Sequence, residues 1–320
     1  MMTVKLAGIG LFAVCSVYAQ FSVDSLPPHG PAAKARALER AGRVADAESI
    51  LRNALSAGND SAEVHGALGL LLYRMGRFRD AVPELGRAAQ LAPESPEYSL
   101  KLAAAILADH RYSVALDFLN AVAGRFGTIA EYQYNLGLAY YGTRRYENAI
   151  AAFGKAIALD PKMDVAYFFT GNAWAGSGDP DKAVAFYRKA IEINPKSAGY
   201  YLALGKVLGL IGPERDPESA KWLRKGLALK PGDAASEFAL ALACERLNDL
   251  PCARPLLEDV VKRYPNELSP RIVLARIYAK MHEPEKARTE REAVKRLQEA
   301  QRRSNSERPS FSDSELHPPR

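Results

Sequence analysis

The stretch from Ala130 to Met163, AEYQYNLGLAYYGTRRYENAIAAFGKAIALDPKM, contains two helical patterns separated by a short polar break. In the first pattern, Leu136, Gly137 and Tyr140 share one helical face. The second pattern places small and apolar residues three and four positions apart and is closed by Pro161. The stretch therefore predicts a helical hairpin with more apolar surface than it can bury alone.

The same pattern returns 34 residues further along the chain. The residues in matching positions are Gly171, Trp174, Ala183, Tyr187, Ala190 and Pro195 against Gly137, Tyr140, Ala149, Phe153, Ala156 and Pro161. Extended in both directions, the spacing predicts eight units at residues 28–61, 62–95, 96–129, 130–163, 164–197, 198–233, 234–267 and 268–301. Such a period is typical of proteins in which each unit buries its apolar face against its neighbours.

Each unit carries one small residue in each of its helices, where the two helices are expected to cross. A larger side chain at the crossing would push the backbones apart. In the first helices these residues are Ala35, Gly69, Ala103, Gly137, Gly171, Gly205, Ala241 and Ala275. In the second helices they are Ala47, Ala81, Ala115, Ala149, Ala183, Ser219, Ala253 and Ala287. Four residues later comes a large apolar side chain, at Leu51, Leu85, Leu119, Phe153, Tyr187, Leu223 and Leu257, whereas the eighth unit has Arg291.

This combination of a Leu-Gly pair, paired small residues, a large apolar residue and a closing Pro resembles the tetratricopeptide repeat family. The resemblance covers residues 28–303 and implies an all-α fold, a right-handed α-solenoid of about eight stacked helix-turn-helix units with a C-terminal capping helix. It also implies that the chain binds proteins or peptides. Because a solenoid grows by adding units, we expect one elongated domain.

Two units depart from the pattern in informative ways. The sixth has two extra residues, which we place within Gly212–Pro217, where two prolines lengthen the turn between helices. The eighth carries Arg291 and continues to residue 303 as a strongly polar helix, as expected for a terminal helix that no further unit covers. After it, residues 304–320 are rich in Ser and Pro and are predicted to be disordered.

The N-terminus has the layout of a secretory signal peptide at residues 1–19. Lys5 precedes an apolar run, and Val17, Tyr18 and Ala19 form a cleavage site that ends after Ala19. A segment that stays uncut as an anchor, or a buried N-terminal helix, is the alternative. Residues 20–27 are interpreted as a linker, and we expect an exported protein, periplasmic or extracellular, that meets the membrane only through this segment.

The sequence shows no constellation of residues that would indicate catalysis or metal binding. Of the 320 residues, 48% are apolar, and 43 basic side chains are interleaved with 37 acidic ones for a net charge of +6, so no nucleic-acid partner is expected. The five histidines are scattered, and neither His-Glu-x-x-His nor Cys-x-x-Cys spacing occurs. We therefore predict no catalytic residues, no metal site and no cofactor.

Cys244 and Cys252 lie near the end of one helix and the start of the next in the seventh unit. Those positions approach each other across an antiparallel hairpin, so a disulfide is feasible in an exported protein. The alternative is that Cys244 fills the core position that Tyr140 and Trp174 hold in other units.

In the tetratricopeptide repeat family the first helices line a concave surface that meets ligands. Projecting the repeats onto that surface predicts a peptide-binding groove of Glu131, Tyr134, Asn135, Leu138, Tyr141, Phe168, Asn172 and Lys206. Rings supply contact area and amides pair with a peptide backbone. The alternative for Tyr134 and Phe168 is that they only pack between units.

Three functions are compatible with these features. The leading hypothesis is an exported, non-enzymatic scaffold that binds a protein or peptide through its concave face. The second is an accessory subunit of a cell-envelope assembly or secretion complex, held there by the basic terminal helix. A regulatory subunit associated with an enzyme is the third.

Overall fold

The computed structural model describes residues 30–306, with side chains through Arg303. The predicted signal peptide, the linker and residues 307–320 of the tail lie outside this range, so those predictions stay untested. Residues 304–306, which were predicted to begin the disordered tail, form the end of the last helix instead. The described residues are helical throughout apart from turns, and among them there is no β-strand. They divide into two compact units, of which the first ends at Pro195 and the second begins at Lys196.

The first compact unit contains ten helices arranged as five helix-turn-helix pairs. Their bounds are α1 Pro31–Arg40, α2 Val44–Ser56, α3 Ala62–Arg74, α4 Phe78–Leu91, α5 Pro96–Ala108, α6 Tyr112–Phe126, α7 Ala130–Gly142, α8 Tyr146–Leu159, α9 Asp164–Gly176 and α10 Pro180–Ile193. Within this unit each helix from α1 to α9 packs on the next one, and α5 and α9 also pack on α7.

The second compact unit contains six helices. They are α11 Ala198–Ile211, α12 Asp216–Leu229, α13 Ala234–Arg246, α14 Leu250–Arg263, α15 Leu268–Lys280 and α16 Pro284–Ser306. A short 3-10 helix, Pro213–Arg215, lies between α11 and α12, in the segment where the sequence has two extra residues. Asp216 follows it as a fully buried first residue of α12 and accepts hydrogen bonds of 2.6 and 2.5 Å from Arg246.

The helix crossing predicted at each small residue is clearest in α7 and α8. A Cβ added to Gly137 would lie 2.4 Å from ring carbons of Phe153, far inside van der Waals contact. Phe153 is fully buried there, as is Ala149 beside it. The pair explains why the stretch needs a small residue and an aromatic ring at these two positions, since the ring occupies the volume that a side chain on α7 would need.

In seven of the eight pairs a residue just after the first helix has a left-handed backbone conformation. This residue is always the fifteenth of the predicted unit. The residues with positive φ at this position are Gly42, Gly76, His110, Arg144, Gly178, Asn248 and His282. The left-handed residue allows the chain to reverse, and the amide of the following residue bonds back to the helix, as in the 2.9 Å bond from Arg145 to the Tyr140 carbonyl. The sixth pair is the exception and uses the 3-10 helix instead.

The all-α class of helix-turn-helix pairs predicted from the sequence is confirmed. None of the helices that the structure describes combines the length and the hydrophobicity needed to cross a bilayer.

Candidate peptide-binding site

Four of the residues predicted to line a groove are buried instead. Tyr134, Asn135, Leu138 and Phe168 are between 1% and 8% exposed. The ring centroid of Tyr134 lies 5.9 Å from that of Phe153, and the ring of Phe168 lies 5.8 Å from that of Tyr187. The groove prediction is wrong for these four side chains, because α5 and α9 pack on α7 and cover the face that carries Tyr134 and Asn135.

Asn135 has a structural role that was not predicted from the sequence. Its side-chain amide donates a 3.1 Å hydrogen bond to the Leu100 carbonyl and so ties α7 to α5. Glu131, one turn earlier on α7, accepts a 2.6 Å bond from Lys101 of the same neighbouring helix. These contacts hold successive first helices together through polar groups that were predicted to meet a ligand.

The other predicted groove residues, Glu131, Tyr141, Asn172 and Lys206, are partly exposed. The Asn172 side-chain oxygen accepts a 2.7 Å hydrogen bond from the Tyr187 hydroxyl. Tyr141 packs against Tyr146 at 5.8 Å between ring centroids, and burial raises the pKa of Tyr141. Lys206 belongs to the second compact unit, where burial lowers its pKa and Asp233 partly offsets that effect from 3.9 Å. A ligand role for Glu131, Tyr141, Asn172 and Lys206 stays a prediction.

An open, mostly apolar groove of about 300 Å³ lies on the last helical pair. We call it the terminal groove. It lies between α15 and α16 and is lined by Ile272, Ala275, Arg276, Ala279, Arg291 and Val294. Ile272 leaves 41% of its surface exposed, and Ala279 is exposed as well. The lining therefore exposes apolar surface that a partner could contact, whereas four side chains of the predicted groove are buried.

The terminal groove occupies the place where other units put their large apolar side chain. The equivalents of Arg291 are at most 3% exposed, at Leu51, Leu85, Leu119, Phe153, Tyr187, Leu223 and Leu257. In the four units whose small residue is Gly, this side chain packs against that Gly, as Leu223 does against Gly205. In the eighth unit the small residue is Ala275, and the exposed Arg291 leaves the space beside it open.

The charged side chains around the terminal groove are basic. Arg276 donates bonds of 2.5 and 2.7 Å to Glu245, which also accepts a 3.1 Å bond from Lys280. Burial opposes ionisation of Glu245, but these hydrogen bonds from Arg276 and Lys280 lower its pKa. Arg291 makes no ion pair with any described residue. The groove thus presents one neutralised and one unpaired guanidinium group, and no carboxylate is among its lining residues.

Known proteins that are similar to this chain support its repeat fold. A family model described as tetratricopeptide repeat matches residues 32–74, 67–128 and 134–198, which together span half of the chain. The chain belongs to the tetratricopeptide repeat family. No curated protein sequence matches it.

Two solved structures resemble the chain at low sequence identity. The first is a structure of Pseudomonas aeruginosa pilF, described as a functional characterization. It has 18% sequence identity and a TM-score of 0.60, and the match covers 67% of this chain and 97% of that chain. A thermophilic TPR protein of Thermus thermophilus has 23% identity and a TM-score of 0.49, and covers 57% of this chain and 99% of that chain. The first likeness concerns the fold alone.

As a member of the tetratricopeptide repeat family, the chain is a protein-interaction scaffold. The terminal groove was visible in the sequence only as the departure at Arg291, which we interpreted as a feature of a capping helix. That interpretation accounts for the polar face of α16 but not for the uncovered apolar surface of α15 next to it.

Proposed function

We propose that the protein is an exported scaffold that binds an acidic peptide segment of a partner protein in the terminal groove. One observation carries the proposal: the groove combines an apolar floor, which includes the 41% exposed Ile272, with the unpaired guanidinium of Arg291 at its edge. An apolar side chain of the peptide would fill the groove, and a neighbouring carboxylate would pair with Arg291.

The expected binding energies show how many contacts the peptide needs. Burial of one Leu- or Phe-sized side chain contributes about 1.5–3 kcal/mol. A charge-assisted hydrogen bond to a guanidinium adds about 1.5–3 kcal/mol before losses of side-chain and peptide entropy. A single anchor residue therefore supports only weak binding, so affinity has to come from further contacts along α15.

Selection from a random displayed peptide library on the purified chain tests this proposal. We expect enriched peptides to share an apolar residue next to Asp or Glu. Their binding, measured by fluorescence anisotropy, should be lost in Ile272→Glu, and Arg291→Glu should shift enrichment towards Lys and Arg.

The matched control is Leu247→Glu, because Leu247 lies in the same compact unit and is also 41% exposed but does not line the groove. Enriched peptides that bind Ile272→Glu as well as they bind Leu247→Glu would place the binding site elsewhere. Enrichment without an acidic residue would remove the role assigned to Arg291.

Export is the second part of the proposal and rests on the signal-like residues 1–19. Residues 1–27 fused to alkaline phosphatase without its own leader should give an active enzyme, because that reporter needs an oxidising compartment. Leu11→Arg interrupts the apolar run and should abolish reporter activity. N-terminal sequencing should find Gln20 first; an intact Met1 in the exported protein would indicate an uncut anchor.

An accessory role in an envelope assembly is the second candidate, and the length of α16 favours it. This helix has 23 residues against 13 in α15, and Lys295, Arg296, Arg302 and Arg303 are all exposed along it. Charge reversal at Lys295 and Arg296 should release the protein from such an assembly in a salt-dependent co-purification. Unchanged co-purification would speak against this role.

A further inference from the structure

The Cys244–Cys252 disulfide has two sulfur atoms in unequal surroundings. It joins the end of α13 to the start of α14, with the two Cα atoms 6.0 Å apart. Cys244 is fully buried, whereas Cys252 is partly exposed. A molecule that approaches from solvent therefore reaches the Cys252 sulfur first.

A guanidinium group from a third helix lies against both sulfur atoms. Arg224 of α12 places Nη2 3.3 Å from the Cys252 sulfur and 3.5 Å from the Cys244 sulfur. The same nitrogen lies 3.5 Å from a carboxylate oxygen of Asp249, whose other oxygen accepts the 3.2 Å backbone hydrogen bond from Cys252. Arg224 thus lies against both sulfur atoms and the Asp249 carboxylate.

We propose that this disulfide is a site of thiol–disulfide exchange with a small-molecule thiol. The incoming thiolate attacks the Cys252 sulfur and forms a mixed disulfide with it. The bond between the two cysteine sulfurs breaks, and its electron pair leaves on the Cys244 sulfur as a thiolate. A second thiolate attacks the mixed disulfide, releases the oxidised small-molecule disulfide and leaves Cys252 reduced.

Electrostatics favour both charged species in this step. The attacking group and the leaving group are thiolates, and the rate of exchange rises as the leaving thiolate is stabilised. The positive charge of Arg224 lies within contact of both positions. Cys252 is also the third residue of α14, so the positive end of the helix acts in the same direction. Asp249 opposes this effect, and its ion pair with Arg224 weakens that opposition.

The same atoms do not favour a metal ion. The two sulfurs and an Asp249 oxygen lie within 4.8 Å of one another, as three ligands of one cation would. The Arg224 nitrogen, however, lies within 3.5 Å of each of them and would oppose a second positive charge.

The α13–α14 pair does not depend on the covalent bond for its packing. Leu240, Ala241, Ala253 and Leu257 are at most 4% exposed in the surrounding core. The exchange site is therefore expected to cycle between oxidised and reduced forms in a folded protein.

The test measures the rate at which reduced glutathione reacts with the air-oxidised full chain, followed by rapid alkylation and peptide mass analysis. We expect a transient glutathione adduct on Cys252. Arg224→Gln should slow its formation about fivefold, the factor expected for removing a unit charge at contact distance in water. Arg224→Lys should restore most of the rate because it keeps the charge.

The matched control is Lys230→Gln, which removes a positive charge from the exposed C-terminal end of the same helix. Equal rates for Arg224→Gln and Lys230→Gln would overturn the proposal, as would an adduct on Cys244 or two free thiols in the air-oxidised protein. Circular dichroism of the reduced chain should match that of the oxidised chain, and loss of the helical signal on reduction would contradict a reversible site.

Discussion

Replacing Arg291 with Leu should stabilise the last helical pair and close the terminal groove at the same time. Leu holds the equivalent position in five other units and is 0% exposed in each of them, at Leu51, Leu85, Leu119, Leu223 and Leu257. A Leu at position 291 would lie beside Ala275 and Val294, which already line the groove. The substitution also removes a guanidinium that has no ion-pair partner among the described residues.

The expected gain can be estimated from the burial of one side chain. Full burial of Leu contributes about 1.5–3 kcal/mol. The terminal groove is open on one side, as the 41% exposure of Ile272 shows, so roughly half of that area would be covered. We therefore expect the free energy of unfolding to rise by about 1 kcal/mol.

Urea unfolding followed by tryptophan fluorescence measures this change in the correct part of the chain. The protein has two tryptophans, and Trp222 lies in the second compact unit with Arg291. In a Trp174→Phe background the emission therefore reports on that unit alone. Arg291→Ala is the matched control, since it removes the charge without filling the groove.

A more stable Leu variant that also loses the enriched peptides would support both the packing argument and the binding site. If Arg291→Leu is no more stable than Arg291→Ala, the groove is not the vacated position of a core side chain. If it is more stable but binds peptides unchanged, the packing argument holds and the binding site lies elsewhere.

Three further predictions concern the fold. Arg144→Gly should raise the free energy of unfolding by about 0.5–1 kcal/mol, because Arg144 has a φ of 60°, which Gly adopts without strain. Asn248→Gly should raise it by less, because Asn tolerates this conformation better than Arg does. Equal effects of the two substitutions in thermal melts would contradict the explanation. Gly137→Ala should lower the free energy of unfolding by about 1–3 kcal/mol, because the added Cβ would overlap the buried ring of Phe153. An unchanged melting temperature would show that the ring can move aside. Hydrogen bonds from Arg87 and from a neighbouring histidine lower the pKa of Asp60 from 3.8 to about 2, so its stabilising effect is present above pH 3.8 and lost as the pH falls towards 2. The urea midpoint of Asp60→Asn should therefore fall less between pH 4 and 2 than that of the unchanged protein, and parallel curves would contradict this assignment.

The helical pairs could be predicted from the sequence, because they rest on contacts between residues that are close in the chain. The stretch Ala130–Met163 carries small residues at Gly137 and Ala149, where its helices were predicted to cross, and a large residue at Phe153. In the structure Gly137 meets the ring of Phe153, only 16 residues away, so the repeat spacing located the crossing but not the side chain of α8 that fills it. The turn that reverses each pair was less visible, because Arg144 and His110 adopt a conformation that is usually associated with Gly.

The exposed surfaces depended on packing between units, which repeat spacing does not specify. Tyr134 and Asn135 occupy positions that would face a ligand on an isolated pair, and the neighbouring first helices cover them. Arg291 was recognisable in the sequence as a departure, but only the folded α15 and α16 show the apolar space it leaves. Arg224 is separated from the two cysteines by 20 and 28 residues, and no sequence spacing brings it to them. Contacts inside each repeat follow from residue spacing along the chain, whereas the accessibility of a side chain depends on which neighbouring helices cover it.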